Sequence, residues 1–313
     1  MSSPIEVLWG NIVHSFENID PSLLQKHMDA VDSGLVNSDI VYDNIKQKVI
    51  TPKADLKTRK IYIQETYLEH LWSYIYSMFV LYEEGVQKPL INNTFKGELE
   101  FNSQITIRAK KLYDWSVSLS TSHTPWDETL PNPKTHSNSL EKFYAEKVNS
   151  IFQKSVSYAL FHEFAHLTHN HDSYFLGLKL ADLTDSDIAS RIQLENESDQ
   201  FAFNVVIDTQ GTDNEKLVNG LSVLLVNCSA LILPSSAHVV KQNLHPDLDD
   251  RLLKTLNELG LSSEDSLFYC WYFACFAIRL FLTKHNINLP ITEHETAQDE
   301  FFSLLEHLDG VKL

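Results

Sequence analysis

Residues 162–166 read His-Glu-Phe-Ala-His. On an α-helix, positions four apart lie about 40° apart in azimuth and about 6 Å apart along the axis. His162 and His166 can therefore bind one tetrahedral Zn(II), and Glu163 stands where it can reach an activated water. The surrounding stretch, Phe152 to Leu167, lacks Gly and Pro and repeats Val156, Ala159 and Leu160 at helical spacing. With 14 histidines in 313 residues, a chance HExxH is not rare. The assignment rests on two further groups of residues downstream.

Two His leave a catalytic zinc in need of a third protein ligand and one open position. In a metzincin scheme the ligand falls at Asp172, with His169 where a turn-forming Gly is needed. That scheme also requires a downstream Met, whereas the methionines are Met1, Met28 and Met78. In a gluzincin scheme the ligand is a Glu on the next helix, supported by an Asp four residues on. Glu195-Asn196-Glu197-Ser198-Asp199 fits this. Glu195 and Asp199 share a helix face, and Ala202 extends it with a small residue. Asp199 is then the acceptor that fixes the tautomer of a ligand His. Glu197 points to the far side and reads as a solvated acid, with ligation its alternative. His169 and His171 read as supporting or structural. Further on stands His245-Pro246-Asp247-Leu248-Asp249-Asp250-Arg251. His245 or Arg251 could stabilise the oxyanion of peptide hydrolysis. Alternatively Arg251 pairs with nearby acids and His245 caps; His238 is a weaker substitute.

The elements that position these groups are mostly helical. Residues 3–17 and 20–33 read as short amphipathic helices, the second opened by Asp20-Pro21-Ser22. Residues 35–58 are mixed and polar. A helix over about 61–86 carries an aromatic stripe (Tyr67, Trp72, Phe79) that reads as core packing. Polar/apolar alternation over Glu98–Phe101 and Gln104–Ile107 predicts a small sheet or hairpin near 97–108. If the gluzincin scheme holds, the resemblance to that class implies an edge strand that aligns substrate, and 97–108 is the candidate for it. Residues 118–140 read as a surface loop, either a lid or an irregular connection. The motif helix is expected at about 141–170. The next, about 185–208, is capped by Thr184 with Asp185 and Asp187 in its first turn. Helices near 214–232, 249, 264–285 and 295–308 complete the chain. The expected class is mainly α (α+β), a helical zincin-like core at 146–313 behind a helical region at 1–145, the two forming one compact unit.

Apolar content of 43% against 21% charged is that of a folded chain. The net charge of −17 argues against nucleic-acid and anionic-membrane partners, which select basic patches. The first twenty residues lack a basic n-region, so no signal peptide is expected. Phe268–Leu282 is too short to span a bilayer and contains Arg279. Cys228, Cys270 and Cys275 have no ligand spacing and read as reduced core thiols, pointing to the cytoplasm.

HEFAH, ENESDQFA about thirty residues later and then HPDLDDR resemble the cores of gluzincin peptidases. The pattern is similar to that of the prenyl-protease and heat-shock-protease superfamily. Without membrane spans, it looks more like the Lit-type phage-exclusion peptidases. That resemblance implies a zinc endopeptidase acting in abortive infection, with His162, His166 and Glu195 as ligands and Glu163 as base. His245 and Arg251 would act on the transition state. It implies a protein or peptide substrate and leaves room for a protein or peptide activator. The competing readings are a non-catalytic protein that keeps zinc for folding, and a zinc-dependent sensor. A closed four-ligand site would mark the first and a basic DNA-binding module the second.

Overall fold

The computed structural model describes residues 3–18, 21–97, 99–169, 171, 183–207, 211–234, 236–242, 244–289 and 292–312. The fold is mainly α-helical, with one three-stranded sheet among the described residues. A 3-10 turn (Pro4–Leu8) leads into α1 (Trp9–Asn18) and α2 (Pro21–Asp32). Then come β1 (Ile40–Asp43), β2 (Lys53–Asp55) and β3 (Lys60–Gln64), followed by α3 (Glu65–Tyr82), α4 (Lys88–Ile91) and α5 (Gln104–Ser118). The second half holds α6 (Ser139–Thr168), α7 (Asp185–Val206), α8 (Asp213–Leu231), α9 (Leu248–Glu258), α10 (Glu264–Lys284) and α11 (Ala297–Lys312).

Every residue of α3 is buried. A helix apolar on all sides belongs in the middle of a fold, and α3 packs on α5, α6, α8 and α10. Its aromatic residues are core, as their spacing predicts: Trp72 stacks on Tyr76, and Phe79 meets Phe273 of α10. Alone among the described helices, α10 is long and apolar enough to cross a membrane. Here it packs on α8 and α11, with Cys270, Phe273 and Phe281 fully buried. The three cysteines are free and buried, and burial pushes the Cys270 thiol up to about 12. Such thiols are inert.

The sheet does not lie at 97–108. Gln104–Ser118 is helix, and residues 99–102 have no regular structure. Ser103 caps α5, its hydroxyl accepting from the Thr106 N–H while Thr106 answers with its own side chain. The buried residues Ile105, Ala109, Leu112, Tyr113 and Ser116 follow a helical repeat, which overrides the short alternation at 104–107. β1 and β2 lie in the stretch read as mixed and polar, whereas β3 takes the first residues of the helix expected over about 61–86, which begins at Glu65. β3 is central, parallel to β1 and antiparallel to β2, which leaves β2 as an edge strand.

Candidate metal centre

α6 runs thirty residues without Gly or Pro and is capped by Asn138, whose side chain accepts from the Glu141 N–H. It brings HEFAH to its last two turns. α7 packs along it, capped as expected by Thr184 and Asp187. Ala165 and Ala202 are fully buried, consistent with small residues letting helices approach closely.

His162 Nε2 lies 3.1 Å from His166 Nε2 and 3.2 Å from Glu195 Oε2, and His166 Nε2 lies 3.6 Å from Glu195 Oε1. A tetrahedral zinc with N and O ligands at about 2.05 Å holds its donors about 3.3 Å apart. The three side chains offer ligand atoms within 4.8 Å of one another, a group that could hold such an ion. They are the one group of metal-ligating residues of this kind among the described residues. His245 Nδ1 stands 3.0 Å from Glu195 Oε2, yet that buried oxygen accepts no well-aligned hydrogen bond. Burial pushes the Glu195 carboxyl up. Contacts with His162, His166 and His245 more than offset this and hold it well below the usual carboxylate range.

Both imidazoles are oriented through their other nitrogen. His162 Nδ1 is 2.9 Å from Asp199 Oδ1, which also accepts from the Tyr158 hydroxyl at 3.3 Å and from the Arg251 guanidinium. With Nδ1 donating to Asp199, Nε2 is the nitrogen turned toward a metal. Burial works against an ionised Asp199, and Arg251 and His162 win, keeping it ionised. In the same way burial lowers His162, but Asp199 and Glu195 bring it up to about 10, so without a metal the ring is an imidazolium and an ion bound at Nε2 would displace its proton. His166 Nδ1 is 3.1 Å from His171 Nδ1 and 3.3 Å from Ser198 Oγ. His171 is buried and held down to about 4, mainly by burial, so it is neutral and can accept.

Glu163 faces the sheet. Its Oε2 accepts the backbone N–H of Ala54 at 2.6 Å, so the edge strand β2 touches the carboxylate directly. Burial raises the Glu163 carboxyl, an effect reduced by His162, His166 and this N–H. A cavity of about 440 Å³ opens here. Thr51, Pro52 and Ala54 line one wall, and Val226, Ala230 and Leu233 give another an apolar lining. Tyr67, from the first turn of α3, contributes a third surface.

The structure thus brings together His162, Glu163, His166, Glu195, Asp199, His245 and Arg251. Arg251 is not aimed at free space: its guanidinium sits on Asp199. His245 is half-exposed at the rim. Glu197 is exposed and bonded to Gln193, but it also lies 3.8 Å from His171, so it borders the site and is not on its far side. His169 caps α6 and packs its ring against Phe201. His238 lies in a 3-10 turn (Ala237–Val240) and does not line the cavity. Asp172 lies outside the described residues. No residue of 118–140 lines the cavity. That segment folds elsewhere, with Trp126 against Trp72 and Trp115. Sequence spacing does not single out Ala54 or Ser198. Tyr158, which is not among the residues named from sequence, carried a usable signal, since it precedes His162 by one helical turn on the same face.

A pocket of paired imidazoles and carboxylates at the end of a core helix, closed by an edge strand, is suited to hydrolysis. The sequence model of the Peptidase U49 family matches residues 61–274, more than half of the chain, and the protein belongs to that family: it is a peptidase. The matched span runs from β3 into α10 and contains all seven residues of the site. No curated protein and no solved structure gives a significant match.

Proposed function

We propose that this peptidase is a zinc-dependent endopeptidase of the gluzincin type, acting on a protein substrate in the cytoplasm as a phage-exclusion factor. The observation that carries the metal reading is the spacing of His162, His166 and Glu195, 3.1–3.6 Å between donors, with Glu163 beside them and outside the set. A zinc ion held there supplies Lewis acidity to a carbonyl and to water. Glu163 accepts the proton from the attacking water at its carboxylate and returns it to the leaving amine. The Ala54 N–H orients that carboxylate, and Asp199 with Arg251 holds His162 in the required tautomer. The apolar wall from α8 receives a substrate side chain, and β2 offers its open edge to an extended segment. Three protein ligands with a cavity at the fourth side favour catalysis over a structural site, which closes with four. The phage-exclusion role is supported by the order HEFAH, ENESDQFA, HPDLDDR, which resembles the Lit-type peptidases, and the cytoplasmic setting by three buried, unpaired cysteines.

The test is unbiased mapping of new protein N-termini in phage-challenged cells expressing wild type or Glu163→Gln. Wild type should generate a small set of cuts that Glu163→Gln lacks while keeping its zinc. Equal cleavage by both would remove Glu163 as the base, and wild-type cleavage in a zinc-free preparation would remove the metal.

A further inference from the structure

A second cavity, about 860 Å³, lies between the Pro4–Leu8 turn, α3 and the 123–135 segment. It shares no lining residue with the cavity at HEFAH. Glu65 and Glu69 stand one turn apart on α3, each only 2% exposed. Glu65 is satisfied, because Tyr42 donates its hydroxyl at 2.7 Å and Lys46 forms an ion pair with it. Glu69 is satisfied only in part: Ser3 hydrogen-bonds to its carboxylate, but its Oε2 is buried without a hydrogen-bond partner. The nearest ring nitrogen, His123 Nε2, is 3.8 Å away and is itself unpartnered. Trp126 Nε1, on the same cavity, also lacks a partner.

A carboxylate shut away from water without a counter-charge is costly, and proteins pair or neutralise such groups. Burial accordingly pushes Glu69 up to about 7. The cavity is lined by Glu6, Glu69 and Glu128 against Lys134 and Lys46, and Lys46 also neutralises Glu65 beside it. Its field favours a cation. Trp126 adds an aromatic surface, which attracts organic cations. A hard metal ion would need several oxygen ligands, and Glu69 offers a single carboxylate.

We propose that this cavity is a binding site for an organic cation, a guanidinium or alkylammonium group, with Glu69 as its counter-ion and Trp126 as its aromatic wall. That chemistry is presented both by free amines and by basic side chains of peptides. The two sources are separated by titrating the full-length protein calorimetrically with agmatine and with a capped Gly-Arg-Gly peptide. One-to-one binding of either probe, weakened about tenfold or more by Glu69→Gln, is the expected result. Glu69→Gln removes the charge at constant size, and its thermal melt checks folding. Trp126→Leu should weaken the same probe independently. If agmatine binds, the site takes free cations; if the peptide alone binds, it takes a side chain in the context of a chain. Affinity unchanged by Glu69→Gln, or no saturable binding of either probe up to about 10 mM, overturns the proposal and leaves a cavity that holds water only.

Discussion

Replacing Arg251 with Met tests how the site is held together. Arg251 and Asp199 are 19% and 9% exposed at the side chain and in direct contact. Methionine keeps the length and removes the charge. Asp199 then retains two donors, His162 at 2.9 Å, which is protonated in the absence of metal, and Tyr158 at 3.3 Å. Breaking a buried pair from one side costs about 3–5 kcal/mol, and the remaining donors place this case near the lower end, about 3 kcal/mol. Asp199→Asn should cost a similar amount, because it strands the guanidinium. The double variant removes both charges, so it should be less destabilised than the sum of the two by about 2–3 kcal/mol. Urea unfolding in the presence of a chelator measures this without a metal contribution. Zinc affinity, from competition with a chromogenic chelator, should fall about tenfold in Arg251→Met, because the group orienting His162 is itself loosened. A coupling below about 0.5 kcal/mol would show that the pair is screened and that Arg251 does not act through Asp199. Unchanged zinc affinity with lost turnover would instead return Arg251 to the oxyanion.

The same geometry sets other outcomes. Ala54→Pro removes the N–H given to Glu163. A hydrogen bond to a charged group contributes about 1.5–3 kcal/mol, so turnover should drop roughly 10–100-fold with zinc retained, and normal turnover would show that the working enzyme does not use the bond. Glu195→Ala should abolish zinc binding and Glu197→Ala should not; the reverse pattern in metal analysis would transfer the ligand to Glu197. His70 is buried, and burial lowers it to about 4. The unfolded chain therefore takes up a proton near pH 6.5 that the folded chain refuses. Stability is full above about pH 6.5 and declines toward pH 4, by about 3 kcal/mol across the window. Glu69, raised to about 7, has the opposite sign: protonating it on acidification favours the fold. The comparison must therefore be with His70→Gln, whose acid limb should be flatter by that amount; parallel curves would assign the limb to other groups.

The candidate metal group was legible because the helix imposes its spacing. HEFAH and Glu195–Asp199 each place two groups one turn apart, and the second helix carries the Thr184 cap that its sequence advertises. The sheet was not legible. Its strands are four, three and five residues long, and β1 is half-buried throughout, so no alternation marks it. At 104–107 the alternation was real but too short to distinguish a strand from the first turn of α5. The contact of Ala54 with Glu163 joins residues 109 apart through a backbone N–H, and no side-chain pattern announces such a donor. Arg251 is visible as a chemically able residue, but its partner is not, since nothing local pairs it with an acid 52 positions away.

The edge offered by β2 is only three residues long, about 10 Å of strand. In an antiparallel pair, alternate residues turn their N–H and C=O outward, so Ala54 alone presents both groups on the open side. Its N–H is already taken by Glu163, and Pro52 has no N–H to lengthen the edge. A visiting chain can thus win about one main-chain hydrogen bond from the strand, about 1 kcal/mol, far too little to hold an arbitrary unfolded peptide. On the reading proposed above, selection would come from side chains seated in the cavity, and the strand edge would contribute orientation more than affinity.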